Sequence, residues 1–275
     1  MKIKNGKIQI KNYDLQYWVL QGVILFLGII TIYSFTKLGL TVEKHNPIFD
    51  SHYYRVVQML ENFSRFNINF KKYFSTMIIS FLSTFGLAFL STILGLLIGG
   101  VLALFSARNL SNKWLSDIIR GSSAAVRAVP TFLIVLLCIS IYGMTGTSAV
   151  IGMTFHSTVF FVKVLGETFE EVEEGTLEGI KASGGSWLNL IHAVVIPSSI
   201  NKIVAWSAFR LEINFGVAVI MGPFAAVKNS LGSDLKKAVS TYNFTEIFFT
   251  IGVIFITMYV LQYLADRLKR KAKLD

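Results

Sequence analysis

Long uncharged apolar runs alternate with short polar segments along this chain. Trp18 to Phe35 carries no charge, nor does Tyr73 to Ala107, nor Ala128 to Val162 apart from His156. Gly143 and Gly146, with hydroxyl residues beside them, divide the last of these runs. Two more apolar runs follow, at 202–222 and 246–264. About 20 apolar residues in a helix, at about 1.5 Å each, cross the ~30 Å hydrocarbon layer. The pattern therefore predicts six membrane helices, near 18–35, 73–107, 124–143, 149–166, 202–222 and 246–264. Pro130 falls in the first turns of the third, where a proline is tolerated. Gly95-x3-Gly99 in the second permits close helix contact. The predicted class is an all-α integral membrane protein. Its two parts are 1–72, holding a tail, the first span and an external connector, and a core at 73–270. Within the connector, Val56, Leu60, Phe63 and Phe66 predict a helix near the membrane surface.

Composition agrees: 53% of the 275 residues are hydrophobic, 23 are Phe, and only 15% are charged, which excludes an ordinary soluble domain. The net charge of +10 raises nucleic acid as a partner. The Lys and Arg instead flank the apolar runs, which is the signature of membrane topology. The basic start, with Lys2, Lys4, Lys7 and Lys11, precedes a run too long for a typical signal peptide and without a small-x-small cleavage site. An even number of spans puts both termini on one side. The segments on that side hold the larger share of Lys and Arg, so both termini are expected in the cytoplasm. The single Cys138 excludes an intrachain disulfide, and no P-loop occurs, so any ATPase is another chain.

One polar island, 170–197, breaks the apolar pattern and lies on the cytoplasmic side of this topology. Leu177, Ile180, Gly184, Trp187 and Ile191 recur at spacings of three and four, one stripe on two short helices hinged at Gly184-Gly185. Glutamates crowd the start of the first helix, where they complement its dipole. Pro197 is expected to close the element. Such a loop is built to dock.

The island resembles the EAA loop of binding-protein-dependent ABC import permeases. Glu178, then Gly184, then Val194, Ile196 and Pro197 keep the family spacing, with Gly179 and Ile180 in place of the two alanines. The resemblance implies the ABC type I importer permease fold. It implies a cytoplasmic coupling helix in which Glu178, Gly179, Ile180, Gly184, Trp187 and Pro197 seat on an ATPase subunit. ATP and Mg would be bound by that ATPase, with no cofactor in this chain. The remaining implied partners are an extracytoplasmic solute-binding protein and a second permease copy, in a bacterial plasma membrane.

The fifth span carries Arg210, Glu212 and Asn214, costly in hydrocarbon unless they face a cavity or a partner. Arg210 and Asn214, four apart, share a face. Glu212 points elsewhere, and Arg127 at the start of the third span is its expected partner. Two roles stay open: an anion-facing or gating element, and a structural ion pair. Val126 to Leu133, with Arg127 and Pro130, and Phe209 to Asn214 resemble the corresponding stretches of phosphonate-type permeases. That likeness implies a translocation path touched by Arg127, Pro130, Arg210, Glu212 and Asn214, and a small phosphorus oxyanion as substrate. Two departures stand out. Gly216 replaces a basic residue, and Gly222 to Val227 replaces a glycine-rich run.

The four histidines lack metal-ligand spacing, and no catalytic triad or paired intramembrane carboxylates are present. His156 reads as a satisfied interior histidine. The leading expectation is a permease subunit. The alternatives are a permease for an amino acid or other small solute, a lipid-phosphate enzyme with Arg127 and Arg210 as phosphate ligands, and a structural membrane partner.

Overall fold

Helices make up nearly all of the computed structural model, which describes residues 2–4, 7–9, 15–37, 57 and 70–274. The chain separates into two units, Met1–Glu61 and Asn62–Asp275. In the first, β1 (Lys2–Lys4) and β2 (Lys7–Gln9) form an antiparallel hairpin with Ile3 opposite Ile8, and helix α1 spans Leu15–Lys37. The hairpin is a small addition to an otherwise all-helical chain, as the all-α expectation has it. The surface helix expected within 36–72 falls almost wholly outside the described residues.

The second unit runs through α2 (Phe70–Ser106), α3 (Lys113–Arg127), α4 (Thr131–Tyr142) and α5 (Gly146–Glu170). It continues with α6 (Glu174–Ala182), α7 (Trp187–Leu190), a π-helical turn (Ile191–Val195), α8 (Ile196–Phe224), α9 (Leu231–Ser240) and α10 (Phe244–Lys271). Among the described residues, four helices are long and apolar enough to cross a bilayer: α2, α5, the continuous Trp187–Phe224 and α10. The pair α3–α4 makes a fifth if its 87° bend is one broken span. The apolar stretch described in α1, Trp18–Ser34, is shorter.

Two boundaries differ from expectation. Between the second and third expected spans lies helix α3, and the third span does not run through from 124. Pro130 disfavours helical backbone at Val129 and contributes no N–H, so α3 stops and α4 starts afresh with Pro130 as its N-cap. Nor does Pro197 close the docking loop. It sits in the first turn of α8, continuous with the turn before it. A proline there removes one hydrogen bond of the α ladder, and the preceding turn widens so that the Ile196 N–H bonds to the Ile191 carbonyl. The Ser198 hydroxyl covers the Val194 carbonyl at 2.7 Å.

Helix α5 is the hub of this unit, with 67% of its apolar window buried against 6% for α10. Gly95 and Gly99 let α2 reach it closely: a Cβ on Gly99 would stand 2.6 Å from the Thr158 carbonyl oxygen. The apolar core falls into two clusters. One gathers Leu87, Ala88, Met153, Phe215, Ala218 and Leu231; the other gathers Ala103, Phe161, Leu165, Leu177, Leu190 and Val195. Along α2, α5 and α8 alike, a polar layer lies between them.

Candidate functional site

The polar layer consists of Thr92 of α2, Ser157 of α5, and Arg210 and Asn214 of α8, all buried. Helical geometry stacks Arg210 and Asn214 on one face, as expected from their spacing. The Arg210 Nε donates to the Ser157 Oγ at 3.0 Å, and the Asn214 Nδ2 donates to the same oxygen and to the Thr92 Oγ1, both at 2.9 Å. Each hydroxyl donates its own proton to the carbonyl one turn back, Ser157 to Met153 and Thr92 to Ala88. In hydrocarbon this is the nearest acceptor, and it leaves both hydroxyls as pure acceptors toward α8. The Arg210 Nη2 lies 3.2 Å from the His156 Nδ1. Arginine has no acceptor, so Nδ1 accepts and the ring proton sits on Nε2. The Phe160 ring centroid lies 5.2 Å from the Arg210 guanidinium carbon. Arg210 is thus 3% exposed and held from three sides by α5.

Glu212 points elsewhere, as its two-residue offset from Arg210 requires. Among the described residues no ion pair joins it to Arg127, which corrects the expected pairing. The charges that bear on it are Lys269 and Asp266 of α10, because α8 packs along α10 on that side. The Lys269 ammonium sits 3.5 Å from the centroid of the Phe209 ring.

Arg127 is exposed at the end of α3. It lines a cavity of about 220 Å³ with Arg120, Ser123, Ala124, Val162, Lys163 and Glu167. The cavity lies on α5 toward the docking loop, past the polar layer. Its charge still reaches His156, as does that of Arg210. Pro130 is exposed at the α3–α4 break, and Gly216 packs near the Met258 methyl.

The loop expected to dock is a hinged helix pair, α6 and α7. Gly184 has φ +79°, and the Gly184 and Gly185 amides bond back to the Lys181 and Ile180 carbonyls at 3.1 and 2.9 Å. This is a Schellman closure, which needs a left-handed residue. Glu178, Gly179 and Gly184 are exposed with open space beside both glycines, whereas Ile180 and the buried Leu177 turn inward. Trp187 works from the inner side: its indole Nε1 donates to the Leu110 carbonyl at 2.9 Å, and its ring stacks on Phe105 at 5.5 Å.

Sequence reasoning missed Ser157 and Thr92, and it passed over His156 as bland. It also missed Glu170, which accepts from the Arg120 guanidinium and from the Arg108 amide at 2.8 Å. The signal available was a glutamate ending an apolar run opposite a basic segment.

A multi-pass helical bundle with a buried polar layer and a hinged, exposed loop fits a membrane transport subunit, and family membership shows one. The chain belongs to the family described as "Binding-protein-dependent transport system inner membrane component", whose model matches residues 95–271. Membership sets aside the lipid-phosphate enzyme. The chain is 27% identical over 187 residues to the "Putative phosphite transport system permease protein HtxC" of Stutzerimonas stutzeri, covering 68% of this chain and 66% of that one. It is 25% identical over 186 residues to the "Phosphate-import permease protein PhnE" of Mycolicibacterium smegmatis, covering 67% of this chain and 34% of that one. The chain therefore spans under two thirds of these relatives' length. A solved inward-facing structure of the MetNI methionine ABC transporter shares the fold, with a TM-score of 0.63 at 19% identity, covering 72% of this chain and 97% of that one.

Proposed function

We propose that the chain is the permease subunit of an ATP-driven importer of a small phosphorus oxyanion, of the phosphonate or phosphite class, delivered by an external binding protein. Two copies line one path, and an ATPase chain sits beneath each docking loop and binds the ATP and Mg. Both termini face the cytoplasm of a bacterial plasma membrane, with residues 73–270 as the transporting core. Closure of the ATPases draws the loops together and opens the path outward.

The observation that carries this reading is the exposed hinged pair α6–α7. Its Glu178, Gly179 and Gly184 stand free while Leu177, Ile180 and Trp187 fasten it to the bundle. A loop held so firmly on one side and left open on the other transmits force rather than merely connecting helices. The substrate class is supported by the names of the relatives. It is also supported by the exposed Arg127, whose planar guanidinium suits the oxygens of a phosphonate.

The test is uptake in a host lacking its own system and supplied with this chain, its ATPase and its binding protein. Growth on phosphite or an alkylphosphonate as sole phosphorus source is expected. A binding protein that ignores every phosphorus oxyanion and captures an amino acid would overturn the substrate and leave the permease standing.

A further inference from the structure

The loop 107–112, between α2 and α3, is gripped from two sides. On one side, the carboxylate of Glu170, the last residue of α5, accepts from the Arg108 amide and the Arg120 guanidinium. Asn109 Nδ2 donates to the Phe169 carbonyl at 2.9 Å. On the other side, Trp187 of the docking loop holds the Leu110 carbonyl and stacks on Phe105. Arg120 serves both ends of the grip. Its Nε donates to the Ser106 carbonyl at 2.8 Å, an oxygen that also receives the Ser116 hydroxyl. Ser106 ends α2, so its carbonyl has no partner within the helix, and α3 supplies two.

These contacts join the end of α2, the start of α3, the end of α5 and the docking loop. Arg120 and Glu170 are both partly buried, with 31% and 28% of their side chains exposed, and charge-assisted hydrogen bonds there are stronger than a surface ion pair. The far end of α3 carries Arg127 into the cavity. Beyond it the backbone breaks at Ala128–Pro130 and turns by 87°. Helix α3 is thus fastened at its docking-loop end and has a backbone break at the other.

We propose that Glu170 is a positioning residue for transport: through Arg120 and Arg108 it locks α3 to the end of α5, from which the docking loop springs, so that ATPase movement reaches the cavity at Arg127. This inference rests on the docking reading above. In this role Glu170 acts through Arg120 and Arg108 rather than by contact with the solute or the ATPase.

The experiment uses the full complex in proteoliposomes and reads solute moved per ATP hydrolysed, beside basal ATP hydrolysis. Glu170→Ala and Arg120→Ala should each lower the transport-to-hydrolysis ratio by about tenfold, the scale of one charge-assisted hydrogen bond. Basal hydrolysis should hold for Glu170→Ala, and the double variant should be no worse than either single one. Glu170→Gln, which keeps an acceptor for the Arg108 amide, should fall between. If the alanine variants fail to reach the membrane, the same cycle is run with Glu170→Gln and Arg120→Lys. An unchanged ratio, or losses that simply add, overturns the proposal. A wild-type complex whose hydrolysis is indifferent to the loaded binding protein would instead overturn the docking reading itself.

Discussion

Arg210 and Asn214, one turn apart on α8, meet at a single oxygen, the Ser157 hydroxyl of α5. That hydroxyl is saturated: it accepts from both and spends its proton on the Met153 carbonyl. Three helices are thereby held at one buried level, since Asn214 also reaches Thr92 of α2. The Asn214 Oδ1, also buried, has no partner among the described residues.

Removing that oxygen strands two donors at once. Ser157→Ala leaves a buried guanidinium N–H and an amide N–H unpaired, each costing about 1–3 kcal/mol, with the charged one at the upper end. The variant should melt well below wild type in detergent. Ser157→Thr keeps the hydroxyl but adds a methyl where the close approach of Gly95 leaves little room, so it should melt between Ser157→Ala and wild type. Thermal unfolding of the two variants checks the claim. A Ser157→Ala protein melting with wild type would show that the layer does not hold the helices.

Gly184 offers a way to separate backbone strain from docking. Its φ of +79° strains any residue with a Cβ, while the space around it is open. A left-handed backbone costs about 1–2 kcal/mol for most residues and less for asparagine. Within the isolated permease, Gly184→Ala and Gly184→Leu should therefore cost the same, and Gly184→Asn less. In the full complex Gly184→Leu should lose more substrate-stimulated hydrolysis than Gly184→Ala, because on the proposed reading an ATPase groove closes over that open space. Equal stimulation in both variants would place the groove elsewhere.

Glu212 belongs with α10. The charges around it are Lys269 and Asp266, which stand 4.0 Å from each other. Glu212 and Lys269 are both partly exposed and form no direct ion pair among the described residues, so their coupling is modest. A double-mutant cycle on stability between Glu212→Gln and Lys269→Met should give about 0.5–1 kcal/mol. The same cycle between Glu212 and Arg127 should give none within error. A measurable Glu212–Arg127 coupling would mean that the transporting state rearranges α3 against α8.

Much of this was legible in the sequence, for physical reasons that differ by element. The docking loop could be read because its chemistry is local: a glycine must supply the left-handed residue, and it stands six residues from Glu178. The shared face of Arg210 and Asn214 was equally local. Their partners were not. Ser157 and Thr92 lie 57 and 122 residues from Asn214, and hydroxyls are common in membrane helices, where a carbonyl one turn back satisfies them. The α3–α4 break was written in Val129-Pro130, but tolerance of proline in a first turn was weighed above its effect on the residue before it. Glu212 was paired with Arg127 by charge alone. Which helix lies beside α8 at that level is a tertiary fact, decided by the packing of α10.

The last prediction divides the two arginines that the sequence treated alike. Arg210 is 3% exposed and its guanidinium is occupied by Ser157, His156 and the face of Phe160. Arg127 is exposed at the cavity, beside Lys163 and Glu167. On the proposed reading, a solute in the path would reach the second and not the first. Arg127→Gln should leave melting unchanged to within about 0.5 kcal/mol, as exposed substitutions do, while the apparent KM for uptake rises and its dependence on ionic strength weakens. Arg210→Gln should do the reverse, lowering the melting temperature of the purified permease before any transport is measured. Phenylglyoxal, which needs an accessible guanidinium, should modify Arg127 and spare Arg210 in the folded protein, and peptide mapping reads this directly. Protection of Arg127 by phosphite or an alkylphosphonate would place the anion at the cavity. Modification of Arg210 in the folded resting protein would show that the polar layer opens, and would make Arg210 part of the path after all.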